Sequence, residues 1–106
     1  MSLERAHEVL GEAVQALCTG EGDAKSRVLV AAGSLALVPG DSLPADLKTE
    51  YEEIWAAMTA RPSGFEGKPW DQGAVAATVG HMKNATASKI AQRIFSLDEK
   101  VRALLE

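Results

Sequence analysis

The sequence predicts an all-α protein that forms a single-domain bundle of four to five helices. Apolar residues recur at spacings of three and four along most of the 106 residues, which is the spacing of one face of an α-helix. Outside these stripes, no segment alternates between apolar and polar residues with β-branched or aromatic enrichment, so no strand is predicted. With 46% hydrophobic residues, residues 1–106 can bury a modest core as one domain.

The first two predicted helices are bounded by clear start and stop signals. Ser2 is a capping residue in front of the first helix, and Gly20 ends it. Asp23 caps the second helix, which Pro39 and Gly40 terminate. Because apolar residues lie on nearly every side of the second helix, we expect the other helices to surround it.

The last three predicted helices follow from similar signals. The third begins at Pro44, carries the clearest amphipathic pattern in the chain and is closed by Pro62. Asp71 caps a short fourth helix that runs to about Gly80, and a fifth begins at about Asn84. The core predicted from these patterns consists of Leu10, Val14, Leu17, Leu29, Leu35, Leu47, Ile54, Trp55, Met58, Ile90, Ile94 and Val101.

Charge and cysteine content exclude some classes of protein. Eleven Lys and Arg against fifteen Asp and Glu give a net charge of −4, which argues against a protein whose main work is neutralising phosphate backbones. One cysteine excludes an internal disulfide framework and predicts a reducing, cytoplasmic location. The longest apolar run, 28–38, falls well short of the ~20 residues that span a bilayer, and no export signal is recognised, so no membrane association is predicted.

The sequence contains one half of a metal-binding motif. Glu4 and His7 make an E-x-x-H step of the kind that di-iron carboxylate bundles use on two helices. The second histidine, His81, has Thr78 three residues before it, so the second motif is missing. We therefore predict no metal site and expect His7 to be an exposed residue of the first turn.

The sequence also contains no recognisable catalytic motif. Cys18 has no adjacent cation or helix N-terminus that would lower its thiol pKa, and we expect it to be a small core residue. No G-x-S-x-G elbow and no glycine-rich phosphate loop occur. We predict that the protein is not an enzyme and uses no cofactor.

Two surfaces are predicted to contact a protein partner. The acidic residues Asp46, Glu50 and Glu53 on the third helix form either a docking stripe for a basic partner or a simple solvated face. The loop 61–70 carries Phe65 and Trp70, which either fold back over the bundle or anchor a partner. The partner at this loop is an unidentified protein or a second copy of the chain, most simply in a two-fold homodimer.

An alternative function is DNA binding through residues 72–95. There the chain reads QGAVAATVGHMKNATASKIAQRIF, which resembles a helix-turn-helix with one extra residue in the turn. Three features argue against nucleic-acid binding. The turn has an extra residue, His81 stands at a position that should be apolar, and the chain has a net negative charge. The residues that would face DNA are Lys83, Asn84, Thr86, Ser88 and Lys89.

Three stretches of residues 43–97 form a recognisable pattern: the Leu-Pro-x-x-Leu start of LPADLKTEYEEIWAAMT, GAVAATVGHM, and the terminal IAQRIFSL. This pattern resembles a group of small uncharacterised bacterial all-helical proteins. It implies an all-helical fold and a bacterial cytoplasmic origin, and it assigns no site residue.

These observations predict a small non-enzymatic protein–protein interaction or regulatory module of a bacterial cytoplasm. The alternative is a small DNA-binding regulator that uses residues 72–95. The basic residues Lys83, Lys89 and Arg93 distinguish the two. If they share one exposed patch away from the acidic stripe, DNA binding is favoured, and if they are scattered or pair with those acids, the interaction module is favoured.

Overall fold

The computed structural model describes residues 3–20, 22–38, 43–59 and 72–106, the side chains of 72–74 and 76 excepted. These residues form five helices and no strand, which confirms the predicted all-α bundle. The helices are α1 (Leu3–Thr19), α2 (Ala24–Leu35), α3 (Ala45–Met58), α4 (Gln72–His81) and α5 (Asn84–Leu105).

The bundle is compact but flat. Its radius of gyration is 13.0 Å, close to the ~13 Å expected for a globular domain of this length. Its extents are 39 × 30 × 17 Å, and the short dimension accommodates two helix layers rather than three. A two-layer arrangement leaves every helix with one side towards solvent or towards a partner.

Contacts at the helix ends fix the direction of the helices. His7 near the start of α1 meets Asp98 in the second half of α5, and Leu17 near the end of α1 lies beside Ser88 near the start of α5, so these two helices run antiparallel. Glu53 pairs with Arg93, and the earlier Glu50 pairs with the later Lys100, so α3 and α5 also run antiparallel. The long α5 packs against α1, α2 and α3, while α4 packs against α2 and α3.

Several predicted helix boundaries are confirmed. The Asp23 carboxylate accepts a hydrogen bond from the Ser26 amide at 3.0 Å and caps α2. Gly20 follows α1, and a Cβ at Gly20 would collide with the carbonyl oxygen of Ala16, so the stop signal depends on glycine. Pro44 is the residue immediately before α3. The predicted signals at Ser2, Pro39, Gly40, Pro62 and Asp71 lie outside the described residues.

The predicted core is largely confirmed, with one error. Val14, Leu17 and Trp55 are partly buried and pack against the core. Leu29 is 44% exposed, so its assignment to the core is wrong. The confirmed core residues are Leu10, Leu35, Leu47, Ile54, Met58, Ile90, Ile94 and Val101.

The position of α2 also corrects a prediction. Helices α1, α4 and α5 pack against α2, but they leave one of its faces uncovered. The other helices therefore do not surround it, because a two-layer bundle has no central position. No helix in the described ranges has both the length and the apolar content that a membrane span needs.

Candidate functional site

The uncovered side of α2 is apolar. It consists of Leu29, Val30, Gly33 and Leu37, which we call the α2 apolar face. Val30 is 63% exposed and Leu37 is 65% exposed. These are the highest exposed fractions among the large hydrophobic side chains of the described residues. Exposed apolar side chains grouped on one side of a helix make that side a candidate contact site.

Helical spacing places these residues on one side of the helix. Leu29 and Leu37 each lie four residues from Gly33, one before it and one after it. The backbone beyond α2 continues in turns, with the amide of Leu37 bonded to the carbonyl of Ser34 at 3.0 Å, so Leu37 stays in line with the helix. Gly33 is exposed, and a Cβ added there would meet no atom within 4 Å.

Charged residues of α2 are confined to its first turns. Lys25 and Arg27 are half-buried there, and no charged residue follows them in the helix. The opposite side of α2 is also apolar and lies in the core through Val28, Ala31, Ala32 and Leu35. The sequence showed that both sides are apolar, and only the packing of the other helices shows which one is uncovered.

The predicted acidic stripe is partly engaged within the bundle. Glu53 accepts a hydrogen bond from Arg93 at 3.0 Å, and Glu50 accepts one from Lys100 at 3.0 Å. Asp46 is exposed in the first turn of α3. Two of the three predicted docking residues therefore hold α3 against α5.

The residues predicted to face DNA lie at the start of α5. The Asn84 side chain accepts a hydrogen bond from the Lys25 amide at 3.3 Å and so links the first turns of α5 and α2. Within the described residues, the close helix pairs do not include α4 with α5, although a helix-turn-helix packs its two helices together. The other predicted residues, Lys83, Thr86, Ser88 and Lys89, are exposed.

A buried carboxylate, which was not among the predicted site residues, joins α1 to α5. Asp98 is 1% exposed, and its Oδ1 lies 3.0 Å from Nδ1 of His7, which donates the hydrogen bond. Arg102 donates to the other oxygen at 3.4 Å. His7 is half-buried rather than exposed as predicted. Asp98 lies on the inner side of α5 beside Leu97 and Val101, and this position could have been read from the helical spacing.

This cluster does not amount to a metal centre. Within the described parts of the chain, no group of three or more histidine, cysteine, aspartate or glutamate side chains is placed to hold a metal ion. Glu4, the other half of the E-x-x-H step, is exposed on α1. The His7–Asp98 pair therefore acts as a polar contact between two helices.

Two further predictions concern Cys18 and the aromatic loop. Cys18 is exposed, so its prediction as a core residue is wrong. The last turn of α1 places it on the solvent side, while Leu17 packs against the core. Phe65 and Trp70 lie outside the described residues, and so does the loop 61–70.

Comparisons with family models, with curated proteins and with solved structures find no match.

Proposed function

We propose that the protein is a small non-enzymatic interaction module and that the α2 apolar face is its docking surface. The proposed occupant is the same face of a second copy of the chain. The observation that carries the proposal is the exposure of Val30 and Leu37 on a helix that is apolar on both sides. Burial of such a face against another protein surface is the main favourable contribution to association.

The face is complementary to itself in an antiparallel arrangement. Because Leu29 and Leu37 are equally far from Gly33, a two-fold axis at Gly33 places Leu29 of one copy against Leu37 of the other. The open space at Gly33 allows the two helices to approach closely where they cross.

The area of the face limits the strength of this dimer. A stable dimer commonly buries about 800 Å² on each partner, and a single helix face offers less than that. We therefore expect a reversible dimer whose population rises with protein concentration. The pairing of Arg93 with Glu53 also supports an interaction module, because one of the three basic residues that separate this function from DNA binding contacts the acidic stripe.

The proposal is tested with the full chain by sedimentation equilibrium over a range of concentrations. Val30→Glu should shift the protein to monomer, because it places a charge on the contact face, about one turn from the two-fold axis. Phe95→Glu is the matched control, since Phe95 is an exposed apolar residue of α5 outside the α2 face. A dimer that survives Val30→Glu, or a wild-type protein that stays monomeric at every concentration, would contradict the proposal.

Cross-linking tests the antiparallel register. In a Cys18→Ser background, Gly33→Cys should form a disulfide-linked dimer under mild oxidation, because the two-fold axis brings the two introduced thiols together. Leu29→Cys should not cross-link to itself, but it should cross-link to Leu37→Cys in a mixture of the two variants. The opposite result, with Leu29→Cys linking to itself, would indicate a parallel arrangement.

A further inference from the structure

A cavity of about 200 Å³ lies where the end of α1 meets the beginnings of α2 and α5. It is separate from the α2 apolar face, and its walls carry one cation and one hydroxyl among otherwise apolar groups. The lining residues are Leu17, Ala24, Arg27, Ser88 and Ala91. The volume is below the ~300–1,000 Å³ of pockets that hold drug-sized ligands, so any ligand must be small.

The guanidinium of Arg27 is only partly used by the fold. One of its terminal nitrogens donates a long hydrogen bond of 3.4 Å to the carbonyl of Leu17. Its Nε is buried and has no hydrogen-bond partner. Among the described residues, no carboxylate forms an ion pair with Arg27. Since guanidinium has five donors and is always charged, this arrangement leaves a half-buried cation without an anion among the described residues.

Two neighbouring residues, Gly20 and Asp23, affect how Arg27 lies at the cavity. A Cβ at Gly20 would lie 3.2 Å from Cγ of Arg27, so the glycine leaves room for the arginine stem to pass. The nearest acidic side chain along α2, Asp23, is engaged with the amide and the hydroxyl of Ser26, both at 3.0 Å. These hydrogen bonds lower the pKa of Asp23 below its usual value of 3.8, and the bond from the Ser26 amide has the largest effect.

We propose that this cavity binds a small oxyanion, a carboxylate or a phosphate, with a short apolar body. Arg27 would pair with the anionic head through its planar donors, and the hydroxyl of Ser88 would donate to it. The apolar body would lie against Leu17, Ala24 and Ala91. The amides of Lys25, Ser26 and Arg27 are already bonded to Asn84 and Asp23, so the ligand depends on side-chain donors rather than on these amides.

The test is a titration of the full chain followed by two-dimensional amide NMR. The probes are inorganic phosphate, butyrate and butyramide, the last being a neutral molecule of the same shape as butyrate. Butyrate, phosphate or both should give saturable shifts at Ala24, Ser88 and Ala91, and butyramide should not. Saturation by only one anion identifies which oxyanion the cavity takes.

Two variants test whether Arg27 binds the anion. Arg27→Gln should weaken binding about ten- to a hundredfold, the usual effect of losing a hydrogen bond to a charged group. Lys89→Gln removes the same charge from an exposed neighbour of Ser88 that does not line the cavity, and binding should stay within about twofold of wild type.

A third variant keeps the test decisive if Arg27→Gln fails to fold. Ser88 is exposed, so Ser88→Leu should fold normally while it fills the cavity and abolishes binding. The proposal would be overturned if neither anion gives saturable shifts, if butyramide shifts the same residues equally, or if Ser88→Leu binds as the wild type does.

Discussion

Helix α5 is joined to α1 and to α3 by polar contacts in very different environments. On the α1 side, the carboxylate of Asp98 is 1% exposed and meets His7 and Arg102. On the α3 side, the side chains of Arg93 and Glu53 are 40% and 61% exposed. Because water screens the second contact and is excluded from Asp98 in the first, similar atoms at the same distance of 3.0 Å should differ in their effect on stability.

Between these two contacts, α5 contributes apolar side chains to the core, and their removal should have the largest effect on stability. Ile94 is fully buried on α5, and Ile94→Ala should lower the free energy of unfolding by about 2–5 kcal/mol. The neighbouring Phe95 is exposed, so Phe95→Ala should change it by about 0.5 kcal/mol or less. Urea titration followed by circular dichroism measures both. Equal losses from the two variants would mean that α5 is rotated relative to the structure.

The buried contact should show the next largest effect. His7→Leu removes a donor from a carboxylate that water cannot reach, and we expect a loss of about 1–3 kcal/mol in the free energy of unfolding. The double variant with Asp98→Leu should regain most of that loss, because an apolar pair of similar size leaves no unpaired charge in the interior. Urea titration of both proteins tests this, and a His7→Leu protein as stable as wild type would contradict the assigned role of the pair.

Helical periodicity was sufficient to predict the fold but only part of the site. Stripes such as that of Ile90, Ile94 and Val101 identify a helix and its inner side, and these residues are buried as predicted. Asp98 was missed because a charged residue on an inner side is energetically acceptable only when a partner from another helix meets it. That partner, His7, lies 91 residues away in the sequence.

The α2 apolar face was missed for a different reason. A helix that is apolar on both sides can lie inside a bundle or at a protein contact, and local sequence does not distinguish the two. The choice depends on how many helix layers form, which is a property of the whole chain. The Arg27 cavity is likewise invisible in the sequence, because it is formed where three helix ends meet.

Tyr51 is half-buried, so its exposure lies between that of Asp98 and that of the Arg93–Glu53 pair. Its hydroxyl donates to the carbonyl of Leu35 at 2.9 Å and holds α3 against the end of α2. Burial raises the pKa of Tyr51 above its ordinary value of 10.0, because the charged phenolate is poorly solvated there. This contribution to stability is fully present below pH 10 and is lost as pH rises through the folded-state pKa.

The corresponding test compares wild type with Tyr51→Phe across alkaline pH. Near neutrality, Tyr51→Phe should cost about 0.5–1.5 kcal/mol through the lost hydrogen bond. Above pH 10 the difference between the two proteins should shrink, because the wild type then carries the unfavourable phenolate. Urea midpoints measured at several pH values check this, and a constant difference across the range would place the phenol in water.

The smallest effect should come from the exposed pair of Arg93 and Glu53. A double-mutant cycle with Arg93→Gln and Glu53→Gln should give a coupling of about 0.2–1 kcal/mol, and added salt should reduce it. The His7 and Asp98 cycle should keep a larger coupling at the same salt concentration, since Asp98 is shielded from ions as well as from water. If the two couplings were equal and fell together with salt, water would reach Asp98, and the difference between the two sides of α5 would disappear. If instead the two couplings were equal and neither fell with salt, Arg93 would hold Glu53 firmly within the bundle. The acidic stripe would then be less available to a basic partner.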